Sequence, residues 1–173
     1  MTPLGHTGIS LLVGIGLTKI TPNINPSTIL IPTVIGGNAL DLDLLYRFYQ
    51  KGTKVFDGTI GQHRFFPSHT PLTILIVSNL IALVNFYWAV FFALGALLHL
   101  FLDTLFFPEG VNFLFPFRKK MVHLLTIKTR PFWAPRPISQ VDGWWKNYFI
   151  SPLFWVAEVL PSIAALVLLL QLT

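Results

Sequence analysis

NFYWAVFFALGALLHLFLDTLFF, residues Asn85–Phe107, decides how this chain is read. As a helix it would extend about 34 Å at ~1.5 Å per residue, enough to cross a ~30 Å hydrocarbon core. It holds only two side chains that can be charged near neutral pH, His99 and Asp103. They stand four apart near its C-terminal end and so share one helix face. Ionisable groups are costly inside a bilayer, and where they occur they are functional candidates by default.

The rest of the chain agrees with a membrane class. It has 173 residues, of which 53% are hydrophobic and 11% charged, and its mean hydropathy is +0.66. A soluble domain carries about 25% charge, so a water-facing surface could not be covered here. Four further apolar stretches lie at about 4–20, 27–46, 68–84 and 151–170, with long polar segments at about 47–67 and 108–150. Asn85 is the expected turn between the third and fourth stretches. Pro32 and Gly36-Gly37 make the second a candidate for a kink or break. The first and third are short for full spans and could be re-entrant arms. The expected fold is a single, all-α integral membrane domain over 1–173, with about five transmembrane or re-entrant helices. The first stretch lacks a basic leader and a small-residue cleavage site, so it reads as a retained helix.

Charge orients this arrangement. Of the 12 Lys and Arg residues, only Lys19 falls on one side; all others lie in the two long segments. The positive-inside rule then puts the N-terminus and both long loops in the cytoplasm of a cell (inner) membrane. Residues 130–148 mix cations with Phe132, Trp133, Trp144, Trp145 and prolines, which fits an interfacial loop on the inner leaflet. Membrane lipids are the expected partner. Nucleic acid is disfavoured, because aromatic–basic mixtures are ordinary at bilayer surfaces.

Under this topology His6, Asp41, Asp43, His63, His69, His99, Asp103 and Glu109 all gather at one face of the membrane. Charge counting did not use the histidines or the intramembrane acids, so their convergence is independent support. Asp41 and Asp43 would diverge on a regular helix and meet only if the helix ends or unwinds there. With no cysteine in the chain, a transition-metal site must be built from His, Asp and Glu. Imidazole and carboxylate suit zinc, manganese or iron, and such a set could hold one or two ions and run a hydrolysis. Each residue also has a plain structural explanation. His6 could be interfacial, Asp41 and Asp43 could cap a helix or pair with Arg47 and Lys51, His63 could be loop polarity, and His99–Asp103 could be a structural pair. All would have to hold together on one face. His123 has no partner pattern and receives no role; Glu158 reads as a helix-pairing group toward the opposite side.

Four blocks resemble the YdjM-like family of membrane-bound metal-dependent hydrolases: Gly5-His6-Thr7; Leu40-Asp41-Leu42-Asp43; His63-Arg64 through Ser68-His69-Thr70; and His99 to Asp103 with Gly110-Val111 and Leu114-Phe115-Pro116-Phe117. Leu40 stands where that family usually has proline, and Phe106 where it often has threonine. The family in turn distantly resembles the all-helical zinc-dependent phospholipase C and nuclease group. The resemblance implies phosphoester hydrolysis.

The expected metal ligands are His6, Asp41, Asp43, His63, His69, His99 and Asp103. A bound ion, zinc before manganese or iron, would lower the pKa of a water. Asp43 or Asp103 would take its proton, and Arg64 would neutralise a phosphate. A site at headgroup depth makes phospholipids or lipid-linked phosphates the expected substrates. The rival readings are a non-catalytic scaffold, docking other membrane subunits through residues 130–148, and a metal-ion transporter.

Overall fold

A computed structural model describes residues 2–51, 66–106, 110–118, 122 and 149–171. Its elements are α1 (Pro3–Ile20), α2 (Pro26–Ala39), α3 (Leu42–Lys51), a 3-10 turn at Pro67–His69, α4 (Pro71–Ala82) and α5 (Phe86–Phe106). A last helical run follows: an α-turn at Pro152–Phe154, a π-helical turn at Trp155–Val159, and α6 (Leu160–Leu170). Among the described residues there is no strand beyond one isolated bridge, Val111 with Val122.

The starts of these helices follow from short polar residues placed before proline. Thr2-Pro3, Asn25-Pro26, Thr70-Pro71 and Ser151-Pro152 each put a cap residue before a proline in the first turn. Proline there has a pre-set φ and no N–H that needs a partner. Asn25 accepts from Ser27 N–H at 2.9 Å, Thr70 from Thr73 N–H at 3.2 Å, and Asn85 from Trp88 N–H at 3.1 Å, each satisfying a donor the helix leaves free.

The five apolar stretches are all helical, but they differ in reach. Among the described residues α5 alone is long and apolar enough to cross a membrane, at 21 residues with a mean hydropathy of 2.0. α2 and α3 together qualify only across a 46° bend, and α4 and the run Trp155–Leu170 are shorter apolar helices. The expected break near Pro32 or Gly36-Gly37 lies elsewhere: α2 stays helical through all three, and the chain breaks at Leu40-Asp41.

The glycines have a different use. A Cβ on Gly36 would collide with the Phe92 carbonyl, and one on Gly95 with the Thr33 carbonyl. α2 and α5 therefore cross backbone to backbone, which only glycine permits. In lipid, where apolar surfaces gain little from meeting one another, such close approach is what lets helices associate. α1 packs on α2 and on α6, with the Thr7 hydroxyl donating to Asn38 Oδ1 at 3.2 Å.

The polarity of the molecule is inverted relative to a soluble protein. His6, Asp41, His69, His99, Asp103 and Glu158 are buried, while Leu75, Leu80, Val90, Leu97, Phe101, Leu160 and Leu166 are exposed. Water would penalise both halves of that distribution. Glu158 lies nearer the first residues of the chain than the sequence suggested. It accepts hydrogen bonds from Thr2 N–H, at 2.7 Å, and from the Thr2 hydroxyl. It is thus a helix-pairing group, but at the end of α1 that carries His6.

Candidate metal centre

The break between α2 and α3 builds the site. In a continuous helix Asp41 N–H would bond the Gly37 carbonyl; here it bonds Asn38 O at 3.1 Å. The tightened turn leaves Gly37 O as an acceptor for His99 Nδ1 at 2.8 Å. A backbone carbonyl only accepts, so Nδ1 carries a hydrogen, and Nε2 is the nitrogen that faces the site. The same break releases Asp41 and Asp43 from diverging helical directions, and both approach His69.

Asp41 Oδ1 lies 3.6 Å from His69 Nε2 and 3.6 Å from His99 Nε2. Asp103 Oδ2 lies 3.6 Å from His99 Nε2, one turn along α5, and its Oδ1 lies 3.4 Å from His6 Nε2. His6 stacks on His99 with ring centroids 3.7 Å apart and planes 14° from parallel. His69 meets His99 edge to face at 5.3 Å. Asp43 approaches from the other side: its Oδ2 is 3.2 Å from His69 Nδ1 and accepts from the Ser68 hydroxyl at 2.6 Å. Asp43 and Asp41 thus hold opposite nitrogens of one imidazole.

These residues fit a metal ion. Two groups have ligand atoms that all lie within 4.8 Å of one another: His6, Asp41 and His99; and His69, His99 and Asp103. The separations of 3.4–3.6 Å between imidazole nitrogens and carboxylate oxygens exceed an ordinary hydrogen bond of about 2.9 Å. They match the ~3.4 Å edge of a tetrahedron whose ligands stand ~2.1 Å from a central ion. Among the described residues, both ring nitrogens of His6, Nε2 of His99 and Oδ1 of Asp43 are buried without a hydrogen-bond partner. Each such atom costs about 1–3 kcal/mol when left so, and two carboxylates around one imidazole nitrogen repel; a dication relieves both. Because His99 offers only Nε2, and both groups contain it, one ion at a time can use that ligand.

Of the residues expected from sequence, the structure brings together His6, Asp41, Asp43, His69, His99 and Asp103. His63, Arg64, Glu109, His123 and residues 130–148 lie outside the described residues. Sequence reasoning passed over Gly37, whose carbonyl orients His99, and Ser68, which holds Asp43. Ser68 at least adjoins His69 in a quoted motif; nothing in the sequence marks a carbonyl as free.

No curated protein and no solved structure matches the chain. A family model described as YdjM inner membrane protein matches residues 1–172. That match spans nearly the whole sequence, and a membrane family is in keeping with the exposed apolar side chains, so the chain belongs to the YdjM family of inner membrane proteins.

Proposed function

We propose that the chain is a membrane-embedded metal-dependent hydrolase acting on phosphoesters, with phospholipids or lipid-linked phosphates as the substrate class. The observation that carries this reading is the buried cluster of three imidazoles with Asp41 and Asp103, whose nitrogen–oxygen separations of 3.4–3.6 Å are those of ligands around an ion. Asp41, His99, Asp103 and either His6 or His69 would hold the ion. Zinc suits four-coordinate nitrogen and oxygen donors at these distances. A divalent ion held there supplies Lewis acidity and activates a water for attack.

The chain's own residues do the rest. Gly37 O fixes His99, and Asp43 fixes His69 through Nδ1, an arrangement that orients an imidazole and raises its basicity as a ligand. Asp43 Oδ1, buried and without a hydrogen-bond partner, is available to take the proton of the attacking water. Arg64 would supply the planar cation that a phosphate needs. In this proposal the helical stretches are about five transmembrane or re-entrant elements with the N-terminus and the site on the cytoplasmic side, in keeping with the Lys and Arg distribution.

Elemental analysis of the detergent-purified protein tests the site, with wild type beside a His69→Ala/Asp103→Ala variant. Stoichiometric zinc, manganese or iron in the wild type, absent from a still-folded variant, is expected. Hydrolysis of short-chain phospholipids should disappear in parallel. A wild type that stays metal-free after reconstitution sinks the reading and favours a structural subunit.

A further inference from the structure

α3 departs from α2 at 46°, and its ten residues, LDLLYRFYQK, divide sharply by face. Leu42, Leu45, Tyr46 and Tyr49 recur at i, i+3, i+4 and i+7, one stripe of a helix. All are more than half exposed, Leu45 at 66% and Tyr49 at 88%. Leu44 and Phe48 widen the apolar arc. Positions 43, 47, 50 and 51, the complementary arc, are Asp, Arg, Gln and Lys. This polarity is unlike that of α5, which is apolar all round apart from His99, Asp103 and Thr104 near its end. A helix with one apolar and one charged face belongs in the boundary layer between acyl chains and water, not across the core.

We propose that α3 is an interfacial helix, seating its Leu42–Tyr49 stripe in the headgroup layer of an anionic phospholipid leaflet. Two features select lipid over a protein partner. The helix continues directly from α2, whose apolar surface is itself part of a membrane protein, so the stripe meets the bilayer boundary as the chain turns. Its charged positions include Arg47 and Lys51, which favour anionic headgroups. Asp43, in the first turn of α3, is 3.2 Å from His69 Nδ1, so seating α3 also sets the depth of the metal centre. The inference rests on membrane embedding and not on the bound metal or the hydrolase reading.

The chain has no cysteine, so one introduced cysteine reports one position. Tyr49→Cys and Gln50→Cys are labelled with an environment-sensitive fluorophore and placed in nanodiscs of phosphatidylcholine and phosphatidylglycerol; Leu45→Cys repeats the stripe measurement should Tyr49→Cys fail to fold. The stripe probe should be blue-shifted and quenched at least twofold more by lipids brominated near the headgroup than the Gln50 probe. Iodide in the aqueous phase should show the reverse order. Replacing phosphatidylglycerol with phosphatidylcholine should weaken the lipid quenching of the stripe probe. Equal iodide quenching at both positions would overturn the proposal, as would indifference to the anionic lipid. So would a stripe probe shielded from both quenchers with energy transfer between two labelled copies, because a second chain would then cover the stripe.

Discussion

His99 divides its two nitrogens between scaffold and site: Nδ1 donates to Gly37 O at 2.8 Å, and Nε2 faces Asp41 and Asp103 at 3.6 Å. Replacing it removes a ligand common to both possible groupings. His99→Ala is therefore expected to abolish stoichiometric metal, whereas His6→Ala should leave an ion held by the His69 grouping at reduced affinity. Equal retention in both variants, measured by elemental analysis of folded protein, would rule out His99 as the shared ligand. Ser68 lies behind the ligands, 3.1 Å from His69 Nδ1, and fixes Asp43 at 2.6 Å. Removing an outer partner of this kind commonly weakens metal binding by about 10–100-fold, so Ser68→Ala should lose metal to a competing chelator within that range. A Ser68→Ala protein that holds metal as tightly as wild type would show Asp43 to be held by other means.

The helices were the most legible part of the chain, and their joints the least. Asn85–Phe107 was readable because apolar continuity and a capping Asn bound it on one side; the structure has Phe86–Phe106. The break in the second stretch was read onto Gly36-Gly37 because glycine signals both a flexible joint and a close approach. Only the partner helix distinguishes the two, and that is not written locally. Six ligand candidates, His6, Asp41, Asp43, His69, His99 and Asp103, were legible because apolar surroundings make ionisable residues conspicuous. The orienting groups were not, since a serine and a backbone carbonyl stand out nowhere. The crossing of α2 and α5 gives a test at this scale. Gly95→Val would drive a branched side chain into the Thr33 backbone; overpacking of this kind costs about 1–3 kcal/mol. The midpoint of thermal unfolding in detergent should fall, and His99 should lose its register with Gly37. Gly16, with open space around its Cβ position, is the control, and Gly16→Ala should unfold near the wild-type temperature. If both variants unfold alike, the close crossing is not what holds these helices.

Over the whole molecule, two polar clusters tie the helices together from one end. The His/Asp cluster joins α1, the α2–α3 break, the turn before α4, and α5; Glu158 joins the start of α1 to the last helical run. Binding an ion to the folded state alone stabilises it by about 2.7 kcal/mol at a free concentration 100 times Kd. Chelation should accordingly lower the unfolding midpoint of the wild type and leave His69→Ala/Asp103→Ala unchanged. A midpoint indifferent to chelator would separate the cluster from stability. Glu158→Ala should lower the midpoint in either metal state, because Thr2 loses its acceptor in a buried setting; no change there would make the contact dispensable.

The inverted polarity of the molecule carries over to mutational tolerance. In a water-soluble protein the exposed shell accepts most polar replacements and the interior accepts few. Here the outward positions, Leu75, Leu80, Val90, Leu97 and Leu166 among them, should exchange freely among Leu, Ile, Val and Phe while rejecting charge. The interior should insist on particular polar residues, as at Thr33, whose hydroxyl bonds Ile29 O at 2.6 Å. A saturation library sorted for accumulation in the membrane would then trace the lipid-facing surface as the positions where hydrophobicity alone is selected and residue identity drifts.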